Sequence, residues 1–121
     1  MAEKRKILVV EDNKDMQTIY EDMLSEKYYV EIVGNTADAR KALEKSAIDL
    51  MVLDIILPKQ TGDEFYNELA KSGKFRKLKV ICVTVLNDTA KRLKAENKGI
   101  EIIQKPFKKE QLLAKMQKMF K

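Results

Sequence analysis

Leu50-Met51-Val52-Leu53-Asp54 is an unbroken apolar run that ends on a carboxylate, and Ile7-Leu8-Val9-Val10-Glu11-Asp12 has the same form near the start of the chain. Such runs are too short for buried helices, and without polar alternation they read as strands covered on both faces. Tyr29 to Val33, Val80 to Val85 and Ile100 to Ile103 are three further short, mostly β-branched runs. Five strands are expected, and the spacing leaves room for a helix after each.

The intervening stretches have the helical period. Met16, Ile19, Tyr20, Met23 and Leu24 form an i, i+3, i+4, i+7, i+8 stripe, and Leu112, Leu113, Met116, Met119 and Phe120 repeat a similar spacing. Both are expected to face the core. Helices are also expected at Thr36 to Ser46, Gly62 to Ser72 and Asp88 to Asn97, opened by cap residues such as Asn35 and Asn87 and closed near Gly73 and Gly99. The stretch 88–97 offers only Ala90, Leu93 and Ala95 as apolar residues, so loose docking is expected there. Five βα units with doubly covered strands make an α/β, doubly wound parallel sheet with helices on both sides.

The 121 residues suit one domain on a prior of roughly 100–200 residues each, and no Pro/Gly/Ser-rich linker divides them, so 1–121 is expected to be a single unit. With 45% hydrophobic and 36% charged residues the chain can both fill a core and coat it. There is no His, one Cys and no Trp, which excludes histidine triads, His/Cys zinc sites and internal disulfides. The basic start, Met1 to Lys6, is followed by only four apolar residues before Glu11, too few for a signal peptide. No window approaches the roughly 18 apolar residues of a membrane span. A cytoplasmic location is therefore expected, with Cys82 as a buried, reduced thiol.

Sites in open α/β sheets form beyond the carboxyl ends of the strands. Those ends carry Glu11-Asp12, Asp54, Thr84 and Lys105-Pro106. Clustered carboxylates repel one another unless a cation sits among them, and oxygen-only ligands select a hard ion such as Mg2+, which commonly partners a phosphoryl group. Asp54 then suits a phosphorylated nucleophile, with Thr84 and Lys105 meeting the new oxygens. Singly, each residue also has an ordinary reading: a helix cap at Glu11-Asp12-Asn13, a turn from Asp54 to Pro58, a strand residue at Thr84.

Taken together, Ile7 to Asn13, Leu50 to Pro58, Gly62, Thr84 and Lys105-Pro106-Phe107 resemble the receiver domain of two-component response regulators, in order and spacing along the entire chain. The resemblance implies a flavodoxin-like, five-stranded sheet of order 2-1-3-4-5 with five helices. It implies that Asp54 accepts a phosphoryl group from a histidine kinase or histidine phosphotransfer protein. Glu11, Asp12, Asp54 and the Ile56 backbone carbonyl would hold Mg2+, Lys105 would pair with the phosphoryl group, and Thr84 would be the switch hydroxyl. The domain would be a phosphoacceptor that assists its own phosphoryl transfer and dephosphorylation, not an enzyme acting on other substrates. It also implies a cis Lys105-Pro106 peptide.

The chain departs from that family at several positions. Ile102 stands where an aromatic residue is usual, Val85 adds bulk after the switch Thr, and Ile56 and Leu86 occupy positions that elsewhere influence attack by water. Apolar groups cannot orient a hydrolytic water, so slow self-dephosphorylation is expected. Signalling is expected to rely on Thr84 and movement of the 88–97 helix.

Residues 88–121 carry ten Lys/Arg against four Asp/Glu, net +6, whereas 1–87 are close to neutral. Lys91, Arg92, Lys94, Lys98, Lys108, Lys109, Lys115 and Lys118 are therefore candidates for a surface that meets an acidic output protein. The competing readings are a phosphorelay intermediate and a phosphorylation-independent binding module. Nucleic acid is disfavoured for lack of an aromatic-interleaved basic motif, and a dinucleotide enzyme for lack of a Gly-x-Gly-x-x-Gly loop.

Overall fold

The computed structural model describes residues 4–85, 87–96 and 99–121, so Leu86, Asn97 and Lys98 of the expectations above lie outside the described residues. Strands and helices alternate as β1 (Lys6–Val10), α1 (Lys14–Leu24), β2 (Tyr29–Val33), α2 (Thr36–Lys45), β3 (Leu50–Asp54), α3 (Gly62–Ser72), β4 (Lys79–Thr84), α4 (Asn87–Glu96), β5 (Ile100–Gln104) and α5 (Lys109–Met119). The strands form one parallel sheet in the order β2-β1-β3-β4-β5, as expected.

Several boundaries differ from the expectation by one residue. Val85 is outside β4, because the ladder to β5 ends at Thr84 opposite Gln104 and the chain turns away. α4 begins at Asn87, one residue ahead of the expected start.

Strand alternation sorts the core into two layers. Leu8, Val10, Met51, Leu53, Val80 and Cys82 pack with Ala39, Leu43, Phe65, Leu69 and Leu93, so α2, α3 and α4 cover one face. Ile7, Val9, Leu50, Val52, Ile81 and Val83 pack with Tyr20, Leu24, Leu112 and Met116, so α1 and α5 cover the other. All five β3 residues are buried, which is why that run tolerates no polar residue before Asp54.

Local chemistry fixes the helix ends. Asn13 opens α1 by accepting from the Met16 amide at 2.9 Å, and Asn35 opens α2 by accepting from Asp38 at 2.8 Å. Gly73 closes α3 at φ +70°, a conformation that favours glycine. Within the α1 stripe, Tyr20 and Leu24 are buried and Met16 and Met23 half-buried, but Ile19 is 41% exposed. Ile19 sits one residue step, about 100°, from Tyr20, at the margin of the buried face. Leu93 anchors α4 in the core, and ion pairs from Arg92 to Asp63 and from Lys94 to Glu101 hold it to α3 and β5.

Candidate functional site

The sheet order sends the chain from β1 outward to β2 and back across to β3, so the carboxyl ends of β1 and β3 adjoin at the switch point. Glu11 and Asp12 leave β1 there, and Asp54 is the last residue of β3. One oxygen from each of the three carboxylates lies within 4.8 Å of the others. Glu11 and Asp54 are nearly fully buried, whereas Asp12 is exposed.

Lys105, just beyond β5, supplies the cation. Its Nζ donates to Asp54 Oδ2 at 2.9 Å and to Glu11 Oε1 at 3.4 Å. The Lys105 backbone amide donates to the Thr84 carbonyl at 3.0 Å, and the Lys105-Pro106 peptide is cis. The expected ammonium therefore reaches the expected carboxylates. Burial is the largest influence on Lys105 and pulls its pKa down, but the hydrogen bond and charge of Asp54, with Glu11, outweigh it and hold the ammonium above its ordinary range. Burial is also the largest influence on Glu11 and raises its carboxyl; Asp54 adds to the rise, against the Asn13 amide and Lys105.

Asp54 is oriented from both sides. Its Oδ1 accepts the Ile56 backbone amide at 3.0 Å, so the turn-forming reading holds for the same carboxylate that meets Lys105. The Ile56 side chain is 53% exposed and that of Val85 52%, which gives the cluster an apolar margin. Thr84 is buried at the end of β4, one residue past the Val83 that pairs with Asp54. Ile102 is half-buried and packs on the layer covered by α2, α3 and α4.

Gln17 was not expected at the site, and Gly62 and Tyr20, expected as a motif glycine and a core residue, support it by contacts that spacing does not show. Gln17 Nε2 donates to the Glu11 carbonyl at 2.6 Å, fixing the turn out of β1 from the first turns of α1. Gly62 donates its amide to the Ile55 carbonyl at 2.8 Å, and a Cβ there would overlap the Asp54 carbonyl oxygen and lie 2.8 Å from Ile55 Cα. Tyr20 lies close enough to the site that, after burial, the charges of Glu11 and Asp54 raise its phenol. Only polarity at an expected core position hinted at Tyr20; the others depend on where a helix lands.

An acidic cluster fits a hard divalent cation. Its donors are all oxygens, two of them buried, with a single ammonium against three carboxylates. Among the described residues no buried side-chain nitrogen or oxygen lacks a hydrogen-bond partner.

The arrangement has known counterparts. The family model described as the response regulator receiver domain matches residues 7–117. Hybrid signal transduction histidine kinase D of Dictyostelium discoideum is 29% identical over 91% of this chain and 7% of its own length. Probable transcriptional regulator ycf29 of Porphyra purpurea is 32% identical over 89% of this chain and 52% of its own length. The chain thus spans about half or less of these relatives. Among solved structures, the BeF3-activated receiver domain of DrrB from Thermotoga maritima is 27% identical, covers 98% of each chain and superposes with a TM-score of 0.82. By the family match, the sheet order and the acidic cluster at the carboxyl ends of its strands, this chain belongs to the response regulator receiver domains of two-component signalling.

Proposed function

We propose that Asp54 accepts a phosphoryl group from a histidine kinase or histidine phosphotransfer protein. The observation that carries this reading is the setting of Asp54: one oxygen on the Lys105 ammonium, the other on the Ile56 amide, in a three-carboxylate cluster at the switch point. An Asp54 oxygen attacks phosphorus, the P–N bond of the donor phosphohistidine breaks, and the imidazole leaves with the bonding pair. Lys105 holds a positive charge where the new phosphoryl oxygens come to rest. Glu11, Asp12, Asp54 and the Ile56 carbonyl would hold Mg2+, which when bound supplies charge neutralisation for the phosphoryl oxygens. Thr84, at the adjacent strand end, is the hydroxyl we assign to sensing the modification. The chain is a phosphoacceptor that assists its own modification and its removal.

Intact mass after incubation with Mg2+ and acetyl phosphate tests the reading. A gain of one phosphoryl group in the parent and none in Asp54→Ala is expected; equal gain in both, or none in either with Mg2+ bound, overturns it. The exposed apolar Ile56 offers nothing to orient a water, so the phosphorylated form is expected to persist. Decay as rapid as in fast chemotaxis-type receivers would remove that part. The histidine kinases among the relatives favour a relay as the second reading. Transfer from phosphorylated Asp54 back to a phosphotransfer histidine distinguishes it from a terminal output.

No helix among the described residues is long and apolar enough to cross a membrane. We assign the output to the face formed by α4, β5 and α5, with an acidic protein as partner. Unchanged amide exchange across α4 on phosphorylation would exclude its movement from the mechanism.

A further inference from the structure

Between Glu68 and Asp88 the chain has no acidic residue, yet Lys71, Lys74, Arg76, Lys77 and Lys79 fall within it. None of these five forms an ion pair among the described residues, whereas Arg92, Lys94 and Lys115 of the C-terminal third are paired with Asp63 or Glu101. Lys74, Arg76 and Lys77 are exposed on the loop between α3 and β4. Their charge is therefore uncompensated by the fold, at a cost in mutual repulsion.

The same loop is flanked by two clefts. One, of about 240 Å³, opens between Tyr66, Leu69 and Leu78; the other, of about 410 Å³, opens between Leu43, Ile48 and Leu78. Phe75 and Arg76 line both, and no acidic residue lines either. Phe75 is half-buried and packs onto the core, so its ring is a wall between clefts and not a free platform for stacking a base.

The geometry points to this loop and its clefts as a docking site for an acidic peptide segment of a protein partner, which seats apolar side chains beside Phe75 and sets carboxylates against Lys74, Arg76 and Lys77. Charge complementarity selects the acidic partner, and the apolar walls that Leu43, Ile48, Leu69, Phe75 and Leu78 give the clefts select peptide over nucleic acid. The site lies at the amino ends of the strands, one strand length, about 16 Å, from the Asp54 edge. The inference does not rest on the phosphoacceptor reading. Binding here leaves Asp54 open, so the surface tethers the receiver whatever its phosphorylation state.

The test uses a short fluorescein-labelled peptide of Asp and Glu carrying a Leu and a Phe four residues apart. Binding is followed by anisotropy and located by amide chemical shifts in the full chain. Saturable binding is expected, with the largest shifts at 46–48 and 73–78. At least tenfold weakening is expected in Lys74→Glu/Arg76→Glu/Lys77→Glu, with little change in Lys109→Glu/Lys118→Glu. The same peptide with both anchors replaced by Ala should also bind at least tenfold more weakly. Ala47→Phe, which keeps every charge and narrows one cleft, covers the case in which the triple variant is misfolded, and should weaken binding too. Asp54→Ala should bind like the parent. Absence of binding, shifts centred elsewhere, indifference to the anchors, or tighter capture of single-stranded DNA or anionic vesicles at the same loop would each overturn the proposal.

Discussion

Gly62 has a stricter role than a helix start requires. A methyl group there meets the Asp54 carbonyl oxygen and the Ile55 backbone, and backbone atoms cannot swing aside as a side-chain tip can. Gly62→Ala is therefore expected to cost about 3 kcal/mol in urea unfolding, and to slow acetyl phosphate labelling of Asp54 by shifting the chain that carries it. Wild-type stability and labelling rate in that variant would show that the loop yields. Cys82 illustrates the opposite kind of residue, whose reading needed only its neighbours. It is fully buried, and burial pushes its thiol up to about 12, so an aromatic disulfide reagent at pH 8 should modify it only after unfolding. Rapid modification of the native chain would contradict that burial. Asp54, Thr84 and Lys105 were legible because each sits at a strand end, where one-dimensional order already determines which edge of a parallel sheet a residue occupies. Gln17 and the close approach at Gly62 were not, because they depend on how a helix face lands against a turn.

The central strands were read more sharply than the helices because burial on both faces leaves a nearly unbroken apolar signature, while a helix shows only one side. Ile19 belonged to the apolar stripe of α1 by spacing yet lies at its margin. For α4 the missing information was electrostatic. Glu101 on β5 pairs with Lys94 of α4 at 2.8 Å and with Lys115 of α5 at 3.5 Å, so part of the basic charge expected to face a partner is already matched by a carboxylate on the surface. The hydrogen bond from Lys94 is the largest influence on the Glu101 carboxyl and holds it below its ordinary value of 4.5. A depressed carboxylate contributes stability that is present above its unfolded value and is lost as pH falls through its folded value. Glu101→Gln should therefore be less stable than the parent at pH 7, by about 0.2–1 kcal/mol as for other solvent-screened pairs. The difference should shrink as pH falls below 4.5 and as salt rises. Amide exchange across 91–96 should quicken in the variant. A difference that is unchanged at pH 3 would mean that Glu101 acts through packing, not charge.

Charge in this molecule is also sorted locally, which comparing 1–87 with 88–121 does not resolve. The α3–β4 loop carries cations without acids within a segment that averages to neutrality. At the other ends of the strands, Glu11, Asp12 and Asp54 lie together beside one ammonium that pairs with Glu11 and Asp54, and the fold retains this imbalance although repulsion works against it. Folding and the proposed phosphoryl chemistry thus make opposite demands on the same carboxylates, and that opposition has a measurable sign. Asp12 is exposed and Lys105 reaches the other two, so Asp12 contributes repulsion without a partner of its own. Asp12→Asn should raise stability in the absence of divalent ions, by ~1 kcal/mol for one like-charge contact in a largely aqueous setting. Mg2+ should reverse the order. At free Mg2+ ten times its dissociation constant the parent gains about 1.4 kcal/mol, a rise of about 5 °C in its melting temperature, while Asp12→Asn gains far less. Thermal melts of both chains with EDTA and with Mg2+ decide the matter. Parallel shifts in parent and variant would place the ion elsewhere, and a variant that is the less stable of the two in EDTA would show that Asp12 is held by contacts that outweigh its repulsion.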